Sequence, residues 1–275
     1  MLPSNIVIMG AGKHMTDKLA PALLRLQNES NEVKIIAIVR ADPNKGTIKD
    51  VNVPVYKSIE EIPVESFNTI VACGPPSLHL IALKYASLHQ KKVFVEKPHV
   101  IFTGDLGITE SLPKGSMIGY NFNFMPFINE TDITSIIVGT KGLYKDWGSI
   151  FPVEIEDYMY AIHSVVVHPI SVLIQKYGRP DNVEVHKMKD NDGIEMTITL
   201  KYGDQCRSIH YTSKAKEFFM NCYGQKEYEC KPYKSATYYD MLKYFLSNDV
   251  MKINTFEVGK EVMNVIDKCE NLMMD

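Results

Sequence analysis

Short apolar runs alternate with amphipathic stretches over the first 120 residues. Residues 6–9 (Ile-Val-Ile-Met) run straight into Gly10, the pattern of a strand buried on both faces. Residues 14–28 place Leu19, Leu23, Leu24 and Leu26 on a helical stripe, which Asn31 ends. Residues 33–39 are rich in Ile and Val and read as a second strand, closed by the turn Asp42-Pro43-Asn44. A short third strand is predicted over 53–56. Ser58 then stands ahead of Glu60 and Glu61 as the cap of a short helix. Strand 69–73, the rigid turn Gly74-Pro75-Pro76-Ser77, helix 78–89 and strands 93–95 and 116–120 complete the series.

The pattern changes after about residue 122. Longer strands are predicted over 133–139, 183–188, 194–202 and 206–212, and 194–202 alternates as a half-buried antiparallel strand does. One helix over 162–177, ended by Gly178-Arg179-Pro180, lies among them, and helices over 235–247 and 257–273 close the chain. Strand–helix alternation predicts a parallel sheet covered on both faces. The expected class is α/β: a doubly wound parallel sheet of the Rossmann type over residues 1–121, then an α+β domain over 122–275 with a largely antiparallel sheet. No internal repeat or low-complexity linker interrupts it.

Composition narrows the chemistry. The 275 residues are 45% hydrophobic and 23% charged, with a formal net charge of −3 and no basic stripe. Neither nucleic acid nor an anionic membrane is an expected partner. The cysteines, Cys73, Cys206, Cys222, Cys230 and Cys269, are odd in number and none forms a CxxC pair. That pattern suits reduced thiols better than a disulfide framework or a zinc site, and no metal is expected. Met1-Leu2-Pro3-Ser4-Asn5 lacks a basic segment followed by an apolar one. No uninterrupted apolar stretch approaches the roughly 18–20 residues that span a bilayer. A cytoplasmic protein is expected.

In such sheets ligands bind at the carboxyl ends of the strands. The turns at 10–15, 40–43, 74–77 and 96–99 all fall there. In Gly10-Ala11-Gly12-Lys13-His14-Met15 the first glycine permits a tight turn and the second lets a pyrophosphate approach the backbone. The following helix offers free N–H groups and a positive dipole end. The third fingerprint position is Met15, where a small residue is usual. Arg40 ends the second strand, where an acid accepting the ribose hydroxyls of NAD is usual. A guanidinium there can stack on adenine and pair with a 2′-phosphate, so NADP(H) is preferred over NAD(H). Asp42 remains able to reach a ribose.

Ala72-Cys73-Gly74-Pro75-Pro76-Ser77-Leu78-His79, followed by Val93-Phe94-Val95-Glu96-Lys97-Pro98, resembles the Gfo/Idh/MocA oxidoreductase family. Gly119-Tyr120-Asn121 resembles that family's next strand, and 256–272 its C-terminal helix. The resemblance implies a cofactor-facing set of Gly10, Gly12, Lys13, His14, Met15, Arg40, Cys73, Gly74, Pro75, Pro76, His79, Glu96 and Lys97. It also implies that Lys97 lies beside nicotinamide and substrate, ahead of a Pro98 often preceded by a cis bond. An ammonium there can polarise a carbonyl or hold a hydroxyl during hydride transfer.

The family's second catalytic element is an Asp four residues before a His on the helix opening the second domain. His168 stands at the His position, and Ser164 replaces the Asp. His168 is the proton-relay candidate. Asn121, Asn123, Tyr158, Tyr160, His163 and Ser164 are candidate substrate residues. His163 and His168, five apart, point in different directions on a regular helix. The expected activity is NAD(P)-dependent hydride transfer, most simply NADPH-driven reduction, at a C–OH/C=O carbon of a sugar or sugar derivative. Reduction of a C=N or C=C bond, and nucleotide binding without catalysis, remain open. A small-molecule substrate and a homo-oligomer, dimer or tetramer, are the expected partners.

Overall fold

The computed structural model describes residues 3–42, 48–100, 103–120, 132–142, 156–224, 227–230, 235–247 and 253–274. They fall into two compact units, residues Met1–Phe122 with Lys234–Phe256, and Asn123–Tyr233 with Glu257–Asp275.

The first unit is built on a parallel sheet of β1 (Ser4–Met9), β2 (Val33–Val39), β3 (Val55–Tyr56), β4 (Thr69–Ala72), β5 (Lys92–Glu96) and β6 (Met117–Gly119). Their spatial order is β3-β2-β1-β4-β5-β6. This is the doubly wound order, and its direction reverses between β1 and β4. A π-helical turn over Met15–Leu19 runs directly into α1 (Ala20–Glu29), and α2 (Pro76–His89) follows β4. Ile6, Ile8, Leu19, Leu23, Ile38 and Val71 bury the α1 side of the sheet. At 59–61 the capping box is complete, with Ser58 and Glu61 exchanging side-chain and backbone bonds.

The helix α5 (Ser235–Leu246) packs in this same core through Tyr238, Tyr239, Met241, Leu242 and Phe245. Arg25 lies 4.0 Å over the Tyr239 ring. The division at residue 121 put this helix with the second domain, and the structure returns residues 234–256 to the first unit. The periodicity of 235–247 identifies a helix with an apolar stripe and carries no information about which core receives the stripe.

The second unit holds a mixed, mostly antiparallel sheet in the order β12-β11-β7-β10-β9-β8. Its strands are β7 (Ile133–Lys141), β8 (Asn182–Asp190), β9 (Gly193–Tyr202), β10 (Gln205–Thr212), β11 (Lys214–Gly224) and β12 (Tyr228–Cys230). Among the described strands of this sheet, only β7 and β10 pair in parallel. Strand β11 was not expected from the sequence. Its pairing with β7 shifts register between Lys214 and Phe219, and such an irregularity breaks the two-residue alternation by which strands are read. Next to this sheet come α3 (Asp157–Ala161), a π-helical turn (Ile162–Val166), α4 (Val167–Tyr177) and the terminal α6 (Phe256–Met274). The run Asp157–Tyr177 is long and apolar enough to cross a membrane by composition, yet most of it is buried in the fold and His163, Ser164 and His168 interrupt it.

Candidate functional site

Two glycines shape the turn after β1 in opposite ways. Gly10 has φ +92°, and a Cβ there would lie 2.3 Å from the Cys73 carbonyl oxygen. Its N–H donates to the Val39 carbonyl at 2.9 Å, so the turn is drawn against the ends of both β2 and β4. Only glycine fits this conformation and this gap. At Gly12 an added Cβ would meet nothing within 4 Å. The backbone is open there at the start of a helix, where the first N–H groups have no intrahelical acceptor. Gly12 and Lys13 are exposed, His14 is half-buried and Met15 is fully buried. The π-helical turn begins at Met15, with the Ala20 N–H donating to the Met15 carbonyl. The irregular turn thus starts at the residue whose bulk departs from the small-residue fingerprint. Arg40 is half-buried at the end of β2, its N–H donating to the Tyr56 carbonyl at 2.9 Å, and Asp42 is exposed.

The turns after β4 and β5 are joined by one side chain. The Gly74 N–H donates to His79 Nε2 at 3.1 Å, and His79 Nδ1 lies 2.9 Å from the Pro98 carbonyl oxygen. An accepting Nε2 and a neighbouring carbonyl assign the proton to Nδ1. Burial pushes the His79 pKa down from the usual histidine value, opposed by the Pro98 bond and Glu96. Pro75 and Pro76 start α2, where their missing N–H groups cost nothing. Cys73 is a buried thiol whose pKa burial pushes up.

Lys97 follows β5 directly and is half-buried, and the Lys97–Pro98 peptide is cis. Burial pushes its pKa down to about 8, with the Glu96 carboxylate opposing that shift. Glu96 is itself buried. Its Oε2 accepts from the Lys97 N–H at 3.2 Å, and its Oε1 is 3.5 Å from His14 Nε2. A Cβ on Gly119 would stand 2.7 Å from Glu96 Oε1, so the bare backbone of β6 makes room for this carboxylate. Behind the cis peptide, His99 and Tyr120 are buried with ring centroids 6.5 Å apart. Burial pushes His99 down to about 3, so it is a neutral imidazole. Sequence reasoning singled out neither the Glu96–His14 approach nor the room left at Gly119, because both depend on strands distant in sequence.

In the second unit Tyr158, Tyr160, His163, Ser164 and His168 are all buried along the α3–α4 run. The Ser164 hydroxyl donates to the Tyr160 carbonyl at 2.7 Å. His163 Nε2 is 2.8 Å from Glu270 Oε1 on α6. The π-helical turn Ile162–Val166 contains His163 and ends two residues before His168, so counting directions on a regular helix does not hold there. Asn121 and Asn123 lie outside the described residues.

Residues 4–106 match the model of the Gfo/Idh/MocA family, described as "Oxidoreductase family, NAD-binding Rossmann fold". That segment is similar to NAD-binding Rossmann domains of this oxidoreductase family. No curated protein matches the chain. Solved structures share its fold at low identity. A myo-inositol dehydrogenase from Corynebacterium glutamicum is 13% identical with a TM-score of 0.75, covering 98% of this chain and 96% of that one. GenD2 from gentamicin A biosynthesis, in complex with NAD, is also 13% identical with a TM-score of 0.75, covering 100% and 95%. The UDP-N-acetylglucosamine 3-dehydrogenase GnnA from Acidithiobacillus ferrooxidans is 10% identical with a TM-score of 0.72, covering 99% and 98%. The residues present fit a dinucleotide. Open backbone at Gly12, a helix start behind it and the close approach of Gly10 to Cys73 match what binding its phosphates requires.

Proposed function

We propose that this oxidoreductase transfers a hydride between a nicotinamide cofactor and a C–OH/C=O carbon of a sugar or sugar derivative, working chiefly as an NADPH-dependent reductase. The observation that carries the reading is Lys97, a half-buried amine with its pKa lowered to about 8, at the carboxyl end of the parallel sheet next to the turn after β4. A bound nicotinamide supplies the redox chemistry. Gly10 and Gly12 receive the pyrophosphate at the helix start. Arg40 meets the adenosine end and favours a 2′-phosphate. Lys97 holds the reacting oxygen and stabilises charge developing on it. His168 gives or takes the proton. The sugar class is suggested by the inositol and UDP-N-acetylglucosamine dehydrogenases that share the fold.

The first unit would serve as the dinucleotide-binding domain. The second would serve as the substrate and oligomerisation domain of a cytoplasmic dimer or tetramer. A second reading, reduction of a C=N or C=C bond, is favoured by Ser164. Its hydroxyl is given to the Tyr160 carbonyl and replaces an acid that alcohol oxidation would use.

The test is a fluorescence titration with NADPH and NADH, then a panel of keto-sugars and cyclic imines scored by nucleotide oxidation. Keto-sugar turnover with tighter NADPH binding is expected. Turnover of imines alone selects the second reading. Binding without turnover across the panel marks a nucleotide-sensing regulator, and failure to bind either nucleotide overturns the proposal.

A further inference from the structure

His79 is completely buried, yet both of its ring nitrogens are spent on backbone atoms of the two turns that form the site. Nε2 accepts from the N–H of Gly74, at the end of β4. Nδ1–H donates to the carbonyl of Pro98, which follows Lys97 in the chain. We propose that His79 is a positioning residue: its neutral imidazole clamps the β4 turn to the Lys97–Pro98 turn and thereby sets where the Lys97 amine stands. The inference rests on the reading of Lys97 as the catalytic amine.

Only one state of the ring can do this. The Nε2–H tautomer would set a donor against the Gly74 N–H and leave the Pro98 carbonyl without one. The imidazolium would satisfy Pro98 and again face Gly74 with a donor. An unmet donor or acceptor at a buried site is costly, so the surroundings select the neutral Nδ1–H form. The charged and titratable groups around the ring are Glu96, Lys97 and His99. Burial outweighs the attraction of Glu96 and disfavours the imidazolium. The clamp ties the amine to the turn after β4, along which a dinucleotide would lie. A loosened Pro98 would let Lys97 leave its half-buried place, and a displacement on the order of 1 Å at a reacting group costs about 100-fold in rate.

The experiment has readouts that need neither nucleotide nor substrate. In the full chain labelled with 15N-histidine, His79 is expected as the Nδ1–H tautomer at neutral pH. An Nε2–H tautomer or an imidazolium overturns the clamp, and this measurement needs no variant to fold. In His79→Phe, which fills the space without bonding either turn, Lys97 is followed by 13C NMR of its methylated amine. The expected result is a titration moved from about 8 towards the ordinary lysine value of 10.5. A titration unchanged from wild type refutes the role.

Turnover supplies the third arm. His79→Phe is expected to lower kcat about 100-fold, with KM for the nucleotide changed less than about threefold. In a Lys97→Ala background the same substitution is expected to lower kcat no further, since His79 acts through Lys97. Additive losses point to general disruption and overturn the proposal. Should the chain prove not to be an oxidoreductase, the two NMR outcomes still decide the clamp. Should it turn over with Lys97 unmoved in His79→Phe, the clamp alone falls.

Discussion

The carboxyl ends of β1, β4 and β5 carry their chemistry differently from the helical run Asp157–Tyr177. At the strand ends the chemistry is largely backbone: a glycine against the Cys73 carbonyl, a helix start, and the two turns held by His79. Along the helical run the polar groups are side chains, and Ser164 and His163 are among those already engaged. Ser164 is bonded to the Tyr160 carbonyl and His163 is paired with Glu270. A backbone cradle is constrained residue by residue and leaves a fingerprint of glycines and prolines. A side-chain pocket depends on which neighbours take up each hydroxyl or imidazole, and substitutions such as Ser164 change its chemistry without disturbing the helix.

The sharpest test of this contrast is Lys97→Ala. It is expected to lower turnover by about 10²–10⁴-fold while changing nucleotide affinity less than about threefold. Equal losses in binding and rate would place Lys97 in the cradle rather than at the chemistry. The same amine predicts two opposite pH trends. Turnover that needs the ammonium is expected to fall as pH rises through about 8. The folded pKa lies below the ordinary 10.5, so between those values the unfolded chain binds more protons than the folded one. The contribution of Lys97 to stability is therefore smallest below pH 8 and grows as pH rises towards 10.5. Urea midpoints at neutral and alkaline pH, compared with Lys97→Ala, measure it, and a wild-type slope in the variant would refute the assignment.

Arg40→Asp comes next in size. The ratio of NADPH to NADH affinity is expected to fall about 10- to 100-fold, the worth of a charge-assisted bond. An unchanged ratio removes Arg40 from the 2′-phosphate. Gly10→Ala then tests the cradle as backbone. At φ +92° and with Cys73 in the way, it is expected to cost about 1–3 kcal/mol in stability and to weaken nucleotide binding. A variant as stable as wild type would show that the turn relaxes. The smallest effect belongs to the helical run. His163→Leu is expected to lose about 0.5–1.5 kcal/mol with the Glu270 contact and to leave kcat within about threefold. A large loss of kcat with little loss of stability would move His163 into the chemistry and weaken the contrast between the two regions.

Most strands and helices were legible from the sequence because apolar runs, glycines and prolines act locally. The end of β1 at Gly10, a helix following the proline turn after β4 (expected from 78, observed from Pro76) and the alternation of β9 are each dictated within a few residues. The glycine and proline turns at the strand ends were legible for the same reason. Strand β11 was not, because its register slips between Lys214 and Phe219 and periodicity with it. The return of α5 to the first core was not, because an apolar stripe does not name its partner.

Read alone, the chain already specified a parallel sheet whose first strand ends in a glycine turn, with Arg40, Gly74 and Lys97 at or just beyond the ends of later strands. It did so because sterics at glycine and proline and the burial pattern of strands are properties of adjacent residues. Tertiary structure alone decided that His79 spends both nitrogens on those turns, that Glu96 occupies the space above Gly119, and that His163 answers to Glu270. Each of these joins residues brought together only by the folded sheet or by helices far apart in the chain. The hydrogen-bond partner of a buried polar group is set by that packing, and no local pattern records it.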